Sequence, residues 1–177
     1  MPPQDRVADG EPARRVLLPI AAALLGGALL AGHGRIDADL LLAINHVAHE
    51  PAWWWAQVTT LGLGAAVLAV GYALAPVAGR HGARLMGALL WAIPIGGVLT
   101  HGVKALIRLP RPAAVFADGQ LHVIGHTLTS PIGSMPSGHA VSAVALAALW
   151  WLGSERTSQR YALAVTAVLV AFSRLVV

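Results

Sequence analysis

The sequence predicts an all-α fold, a polytopic transmembrane helix bundle with five spans. Three observations carry that prediction. Of the 177 residues, 56% are hydrophobic and only 11% are charged, whereas a soluble domain carries about 25% charged residues. A chain this poor in charge cannot cover a water-exposed surface. The apolar residues are gathered into long runs, and the clearest, Trp53 to Gly79, holds no charge at all. Lys and Arg collect between the runs, where they set orientation in a bilayer.

The same composition narrows the function classes. The length suits one domain and is short for two. The net charge is +4, but the basic residues are spread among loops with no stripe, which argues against a nucleic-acid partner. The chain has no Cys, so neither a disulfide framework nor thiolate chemistry is available. No HExxH or other tight ligand cluster is present, so neither a metal nor another cofactor is predicted.

Residues 1–15 are polar, carry Pro2, Pro3 and Pro12, and read as a mobile tail. Residues 16–177 form the membrane domain. Val16–Gly32 is the first apolar run, 17 residues long and near the lower limit for a span. Arg14 and Arg15 before it resemble a signal-peptide n-region, but Gly32-His33-Gly34 is a poor cleavage site, so a retained helix is favoured. Ile36, Leu40, Ile44 and Val47 fall on one helical face, with Asp37, Asn45 and His46 off it. That pattern predicts a short amphipathic helix at the membrane surface, ended by Pro51. Trp53, Trp54 and Trp55 suit the headgroup level and open the second span.

Arg80, His81 and Arg84 form a short basic loop. Leu85–Thr100 is the third run and is expected to stay helical to about Ile107, with Pro94, Gly96 and Gly97 placed to kink it. Residues 108–137 are the longest polar stretch between spans, a length usually tied to function or disorder. Ala140–Leu152 begins a fourth span with Trp150 and Trp151 near its far end, and Tyr161–Val177 begins a fifth. Five spans put Arg6, Arg14, Arg15, Arg80, Arg84, Arg156 and Arg160 on one side. Arg35, Lys104, Arg108, Arg111 and Arg174 fall on the other, seven against five. Reserving Lys104, Arg111 and Arg174 for a site makes it seven against two. The N-terminus is then cytoplasmic, and the 108–137 loop faces the outside or the periplasm.

The chemistry is concentrated between His101 and Val144. Lys104 and Arg108 are four apart and share a helix face. Pro110 and Pro112 exclude a regular helix beyond Arg108, so Arg111 is presented from an extended turn. Arg offers phosphate a planar fork and Lys a point charge. Snorkelling to headgroups is the plainer reading of such cations, and it is preferred for Arg108. Pro136-Ser137-Gly138-His139 stands directly before an apolar run. Ser137 suits an N-cap, Gly138 lets a ligand approach the backbone, and the first-turn N–H groups attract an anion. His139 would then sit at the rim, placed to give a proton to a leaving oxygen. Taken alone, that stretch is also what an ordinary capped helix looks like.

Taken together the pieces are more specific. Lys104, six residues, Arg111-Pro112, then Pro136-Ser137-Gly138-His139, then Ser173-Arg174 resembles the type 2 phosphatidic acid phosphatase family in order and spacing. The Ile36–Pro51 segment and Thr60–Gly62 also look like its bacterial members. The resemblance implies a six-helix membrane core and metal-independent removal of phosphate from lipid phosphates and pyrophosphates through a phosphohistidine. It implies that Lys104, Arg111 and Arg174 hold the phosphoryl oxygens, that Ser137 and Gly138 add hydrogen bonds, and that His139 is the general acid. The substrate would be a phospholipid or isoprenoid-lipid phosphate, with undecaprenyl pyrophosphate, phosphatidylglycerol phosphate and phosphatidate all open.

The family's third motif continues from Ser-Arg through five residues to the nucleophilic His. Here that position falls three residues past Val177, and the sixth helix falls beyond it too. The expectation is therefore a chain interrupted within its third motif: a fragment of a longer phosphatase or, alternatively, an inactive relative that binds phosphate lipids or assembles with a membrane partner. Haloperoxidases share these motifs but are soluble, which the composition opposes. His101, His122 and His126 read as polar loop or interface residues, not as replacement nucleophiles.

Overall fold

The computed structural model describes residues 34–48, 50–117, 119–123 and 132–176. The expected tail and the first apolar run lie outside the described residues, as do His126 and Asp118. The chain divides into two compact units, residues 1–41 and 42–177. Of the first, only the opening of one helix is described; the second holds everything below.

Seven α-helices and no strand are present among the described residues. They are α1 (Gly34–Ala48), α2 (Ala52–Thr60), α3 (Gly64–Leu74, extended by a 3₁₀ turn at Ala75–Val77), α4 (Gly82–Ile107), α5 (Pro112–Val115), α6 (Gly138–Gly153) and α7 (Thr157–Val176). Two, α4 and α7, are long and apolar enough to cross a membrane. At 26 and 20 residues they extend about 39 and 30 Å, against a hydrocarbon core of about 30 Å. Pro94 lies inside α4 without ending it, as is common in apolar helices whose neighbours accommodate the freed carbonyl.

The run that looked like the clearest span is broken. α2 and α3 meet at a bend of 68° across Leu61–Leu63 and make a third crossing only if the bent pair is one span. The residues at the break explain it. Thr60 Oγ1 donates to the Gln57 carbonyl at 2.6 Å, a back-bond that competes with the helix. Leu63 is extended (φ −60°, ψ 136°), and Gly62 and Gly64 flank it, weakening helical preference. The fourth predicted span corresponds to α6, which has 16 residues and extends about 24 Å.

The core of the larger unit is built from Val58, Val67, Leu85, Leu89, Leu146, Trp150, Leu163 and Val170, contributed by α2, α3, α4, α6 and α7. Trp150 is fully buried among them. The Trp triplet divides. Trp53 and Trp54 are exposed and pack edge to face, as headgroup anchors would, while Trp55 turns inward onto Phe172 with ring centroids 5.4 Å apart.

The surface-helix reading of α1 is reversed at its C-terminal end. Val47, assigned to the apolar face, is 86% exposed, and Asn45, assigned off it, is 2% exposed. Asn45 is buried because its amide finds partners there. Nδ2 donates to the carbonyls of His122 (2.9 Å) and Val176 (3.1 Å), and Oδ1 accepts from the His122 N–H (2.8 Å). A buried amide that is hydrogen-bonded costs little, and an apolar residue in its place would leave those groups unmatched.

The ends of the bundle are clearly separated. At one, Glu155 N–H donates to Ala78 O, Arg80 pairs with Glu155 at 3.1 Å, and Arg160 donates to Ser154 O. This gathers Arg80, Arg84, Arg156 and Arg160 around the start of α4, the end of α6 and the start of α7. The C-terminus of α4, the N-terminus of α6 and the C-terminus of α7 therefore lie at the other end.

Candidate active site

That second end carries the sequence-predicted residues. α4 stops at Arg108, whose left-handed backbone (φ 50°, ψ 36°) sends its N–H to Lys104 O at 3.0 Å. Lys104 thereby stays on the last helical turn. The chain then runs extended through Pro110 and Arg111 (φ −77°, ψ 148°) into the single turn of α5, as the two prolines require.

What holds this turn is a contact that spacing along the chain does not reveal. Pro110 forms an isolated antiparallel bridge with Ile132, and the N–H groups of Gly133 and Ser134 donate to Leu109 O at 2.8 and 3.3 Å. Both ends of the long polar stretch are thus pinned together. Arg111 Nε donates to Ile132 O at 3.3 Å, which ties its guanidinium to the far side of that bridge. Gly133 has φ +88°, and a Cβ there would lie 3.7 Å from Lys104 Cδ, so the lysine stem passes over it. The pairing places Lys104 and Arg111 beside the entry to α6.

Ser137 is the N-cap of α6 (φ −79°, ψ 120°), and its Oγ accepts from Ala140 N–H at a long 3.5 Å. Its hydroxyl hydrogen has no acceptor of its own among the described residues. Gly138 and His139 supply first-turn N–H groups that the helix itself cannot satisfy. A Cβ at Gly138 would meet nothing within 4 Å, so the space over this helix start is open. His139 is half-buried and packed: a Cβ on Gly62 would lie 2.7 Å from His139 Cβ, 2.8 Å from its carbonyl oxygen and 2.6 Å from Val170 Cγ1. Only a glycine at position 62 allows that approach.

Arg174 arrives from the end of α7, where Nη1 donates to Thr59 Oγ1 at 3.0 Å. Its neighbour Ser173 is buried and donates to Val170 O at 2.7 Å, so that hydroxyl serves its own helix. Lys104 lies within electrostatic reach of Arg111 and Arg174, Arg174 within that of Arg111, and His139 within that of Arg174 and Lys104. None of the three cations has a carboxylate partner among the described residues. Like charges brought together this way repel, and an anion bound among them would relieve the repulsion.

Behind His139 a cavity of about 250 Å³ opens between the α2–α3 break, α4 and α6, lined by Gly62, Leu63, Ile93, Thr100, His139 and Ser142 among others. His101 is also on its wall, its Nδ1 2.8 Å from Gly97 O; since a carbonyl only accepts, that nitrogen carries the proton. His122 is set apart, its ring 5.2 Å from that of His46. No group of three or more metal-ligating side chains occurs among the described residues. Arg108 is exposed and bonded through Nε to Ala105 O at 3.3 Å.

Thr59 and Gly62 are site neighbours that the motif residues did not reveal. The only sequence signal was the likeness of Thr60–Gly62 to bacterial phosphatases, which touched Gly62 and missed Thr59.

An apolar helix bundle that gathers three cations and a histidine around one helix start offers complementary charge to a phosphate-like anion. The profile of the PAP2 superfamily matches residues 85–177, more than half of the chain, and the protein belongs to that family. Membership supports a phosphatase-type hydrolase in general. The match contains Lys104, Arg111, Ser137, Gly138, His139 and Arg174, and it leaves α1–α3 outside. No curated protein and no solved structure matches the chain.

Proposed function

We propose that the protein removes phosphate from lipid phosphates or pyrophosphates at the outer face of a plasma membrane, without a metal and through a phosphohistidine. The observation that carries this reading is the convergence of Lys104, Arg111 and Arg174, with no carboxylate partner among the described residues, on the N-terminus of α6. The three cations and the N–H groups of Gly138 and His139 would hold the phosphoryl oxygens, with Ser137 adding its hydroxyl. Fixed positive charge of this kind stabilises the transferring phosphoryl group as its charge spreads over three equatorial oxygens. His139 would protonate the leaving oxygen. The cavity beside His139, walled largely by apolar groups, would take the first part of the leaving group's apolar chain.

The test is phosphate release by the protein purified from its own membranes in detergent. Undecaprenyl pyrophosphate and phosphatidate are the first substrates to offer. Release is expected to be the same with and without a divalent-metal chelator. Loss of release on chelation would remove the metal-independent mechanism. Tight orthovanadate binding without release from any lipid phosphate would make the protein a phosphate-lipid binder instead.

A further inference from the structure

Two adjacent threonines at the end of α2 behave differently. The Thr60 hydroxyl is taken up by its own helix, donating to Gln57 O. Thr59 reaches across the bundle to a residue 115 positions away and accepts from Arg174 Nη1 at 3.0 Å. Three residues on, Gly62 lies against His139 so closely that no side chain fits between them. One short segment, the bend between α2 and α3, thus touches both an arginine and the histidine of the candidate site. It lies outside the residues matched by the family profile, and it carries no charge that would act on a phosphate itself.

We propose that Thr59 is a positioning residue for the phosphate site: its hydroxyl oxygen fixes the Arg174 guanidinium while the bend that carries it seats His139 through Gly62. The proposal rests on the anion-site reading above. An arginine side chain has many rotamers, and surrounding cations push it away from the place where the anion will sit. A neutral acceptor can hold one guanidinium nitrogen without cancelling the charge, leaving the remaining N–H donors for phosphoryl oxygens. A carboxylate at position 59 would hold Arg174 more strongly but would compete with the anion. A hydroxyl acceptor therefore meets both requirements.

The probe is inorganic orthovanadate, titrated against the detergent-solubilised protein and followed by vanadium-51 NMR, with thermal midpoints measured in parallel. Thr59→Val keeps the shape and removes the acceptor. It is expected to weaken vanadate binding about tenfold, the order for losing one charge-assisted hydrogen bond, without lowering the midpoint. Thr59→Ser restores the acceptor and should bind like the parent. In an Arg174→Ala background, Thr59→Val should cause no further loss, because both act through one contact. If Arg174→Ala weakens vanadate binding and Thr59→Val does not, Thr59 has no positioning role and the anion site stands. If Thr59→Val and Thr59→Ser both weaken binding together with the midpoint, the residue is merely structural and the proposal fails. If Arg174→Ala leaves vanadate binding unchanged, the anion-site reading itself falls.

Discussion

The two walls of the candidate site are held by different forces. His139 stands on a helix whose first turn is pressed against Gly62 and Val170, so its position is set by close packing. Lys104 and Arg111 stand on a helix end and an extended turn at the rim, supported by the backbone pairing of residues 109–110 with 132–134 and by the bond from Arg111 Nε to Ile132 O. Their position is set largely by hydrogen bonds to main-chain groups. Packing tolerates salt but not a change of volume, whereas a field of half-buried cations at a rim tolerates a change of shape but is partly screened. Under the proposed function, a site built this way would set a tightly packed proton donor beside a more adjustable anion clamp.

The largest effect that would sharpen this contrast is expected at His139. Replacement by Ala should lower turnover on a lipid phosphate by about 10²–10⁴ while changing orthovanadate affinity little, because the donor acts on the leaving oxygen. Steady-state kinetics and a vanadate titration on the same preparation check it. If vanadate affinity falls as far as turnover, His139 belongs to the clamp, and the division into two walls is wrong.

A smaller effect is expected across the site. Arg111→Lys keeps the charge and loses the planar fork, so it should weaken vanadate binding about tenfold. Arg111→Ala should weaken it further and flatten the dependence of binding on ionic strength. Measuring both variants at low and high salt decides the matter. Equal losses for Lys and Ala at every salt concentration would mean that geometry, not charge, governs this wall too.

The two walls also differ in how legible they were. Lys104, Arg111, Ser137, Gly138 and His139 could be read from spacing because each is placed by its own neighbours: a helix turn, two prolines, an N-cap. Arg174 could be matched to a motif, but its partner Thr59 could not, because the contact joins residues 115 apart on helices that sequence pattern does not orient. The same limit explains the broken second span. Hydropathy integrates over a window, and the window from Trp53 to Gly79 is uncharged and mostly apolar although Gly62 has to turn beneath His139. It also explains Asn45. Periodicity assigned it to the polar face, but a polar side chain goes where backbone donors and acceptors lie within its reach, and those groups come from residues 122 and 176.

The smallest expected effect tests whether the rim depends on main-chain geometry. Arg108 ends α4 in a left-handed conformation, φ 50°, that suits glycine and strains an arginine. Its side chain is exposed and bonds only to a carbonyl three residues back, so it is not needed for the clamp. Arg108→Gly should raise stability by at most about 1 kcal/mol, seen as a rise in the thermal midpoint in detergent, with vanadate affinity unchanged. Arg108→Val, β-branched and ill suited to positive φ, should lower the midpoint and also weaken vanadate binding, because unwinding the last turn of α4 would carry Lys104 with it. A variant that lost stability but kept full affinity would show that Lys104 reaches the anion independently of how its helix ends, and the rim would then owe its geometry to the bound anion.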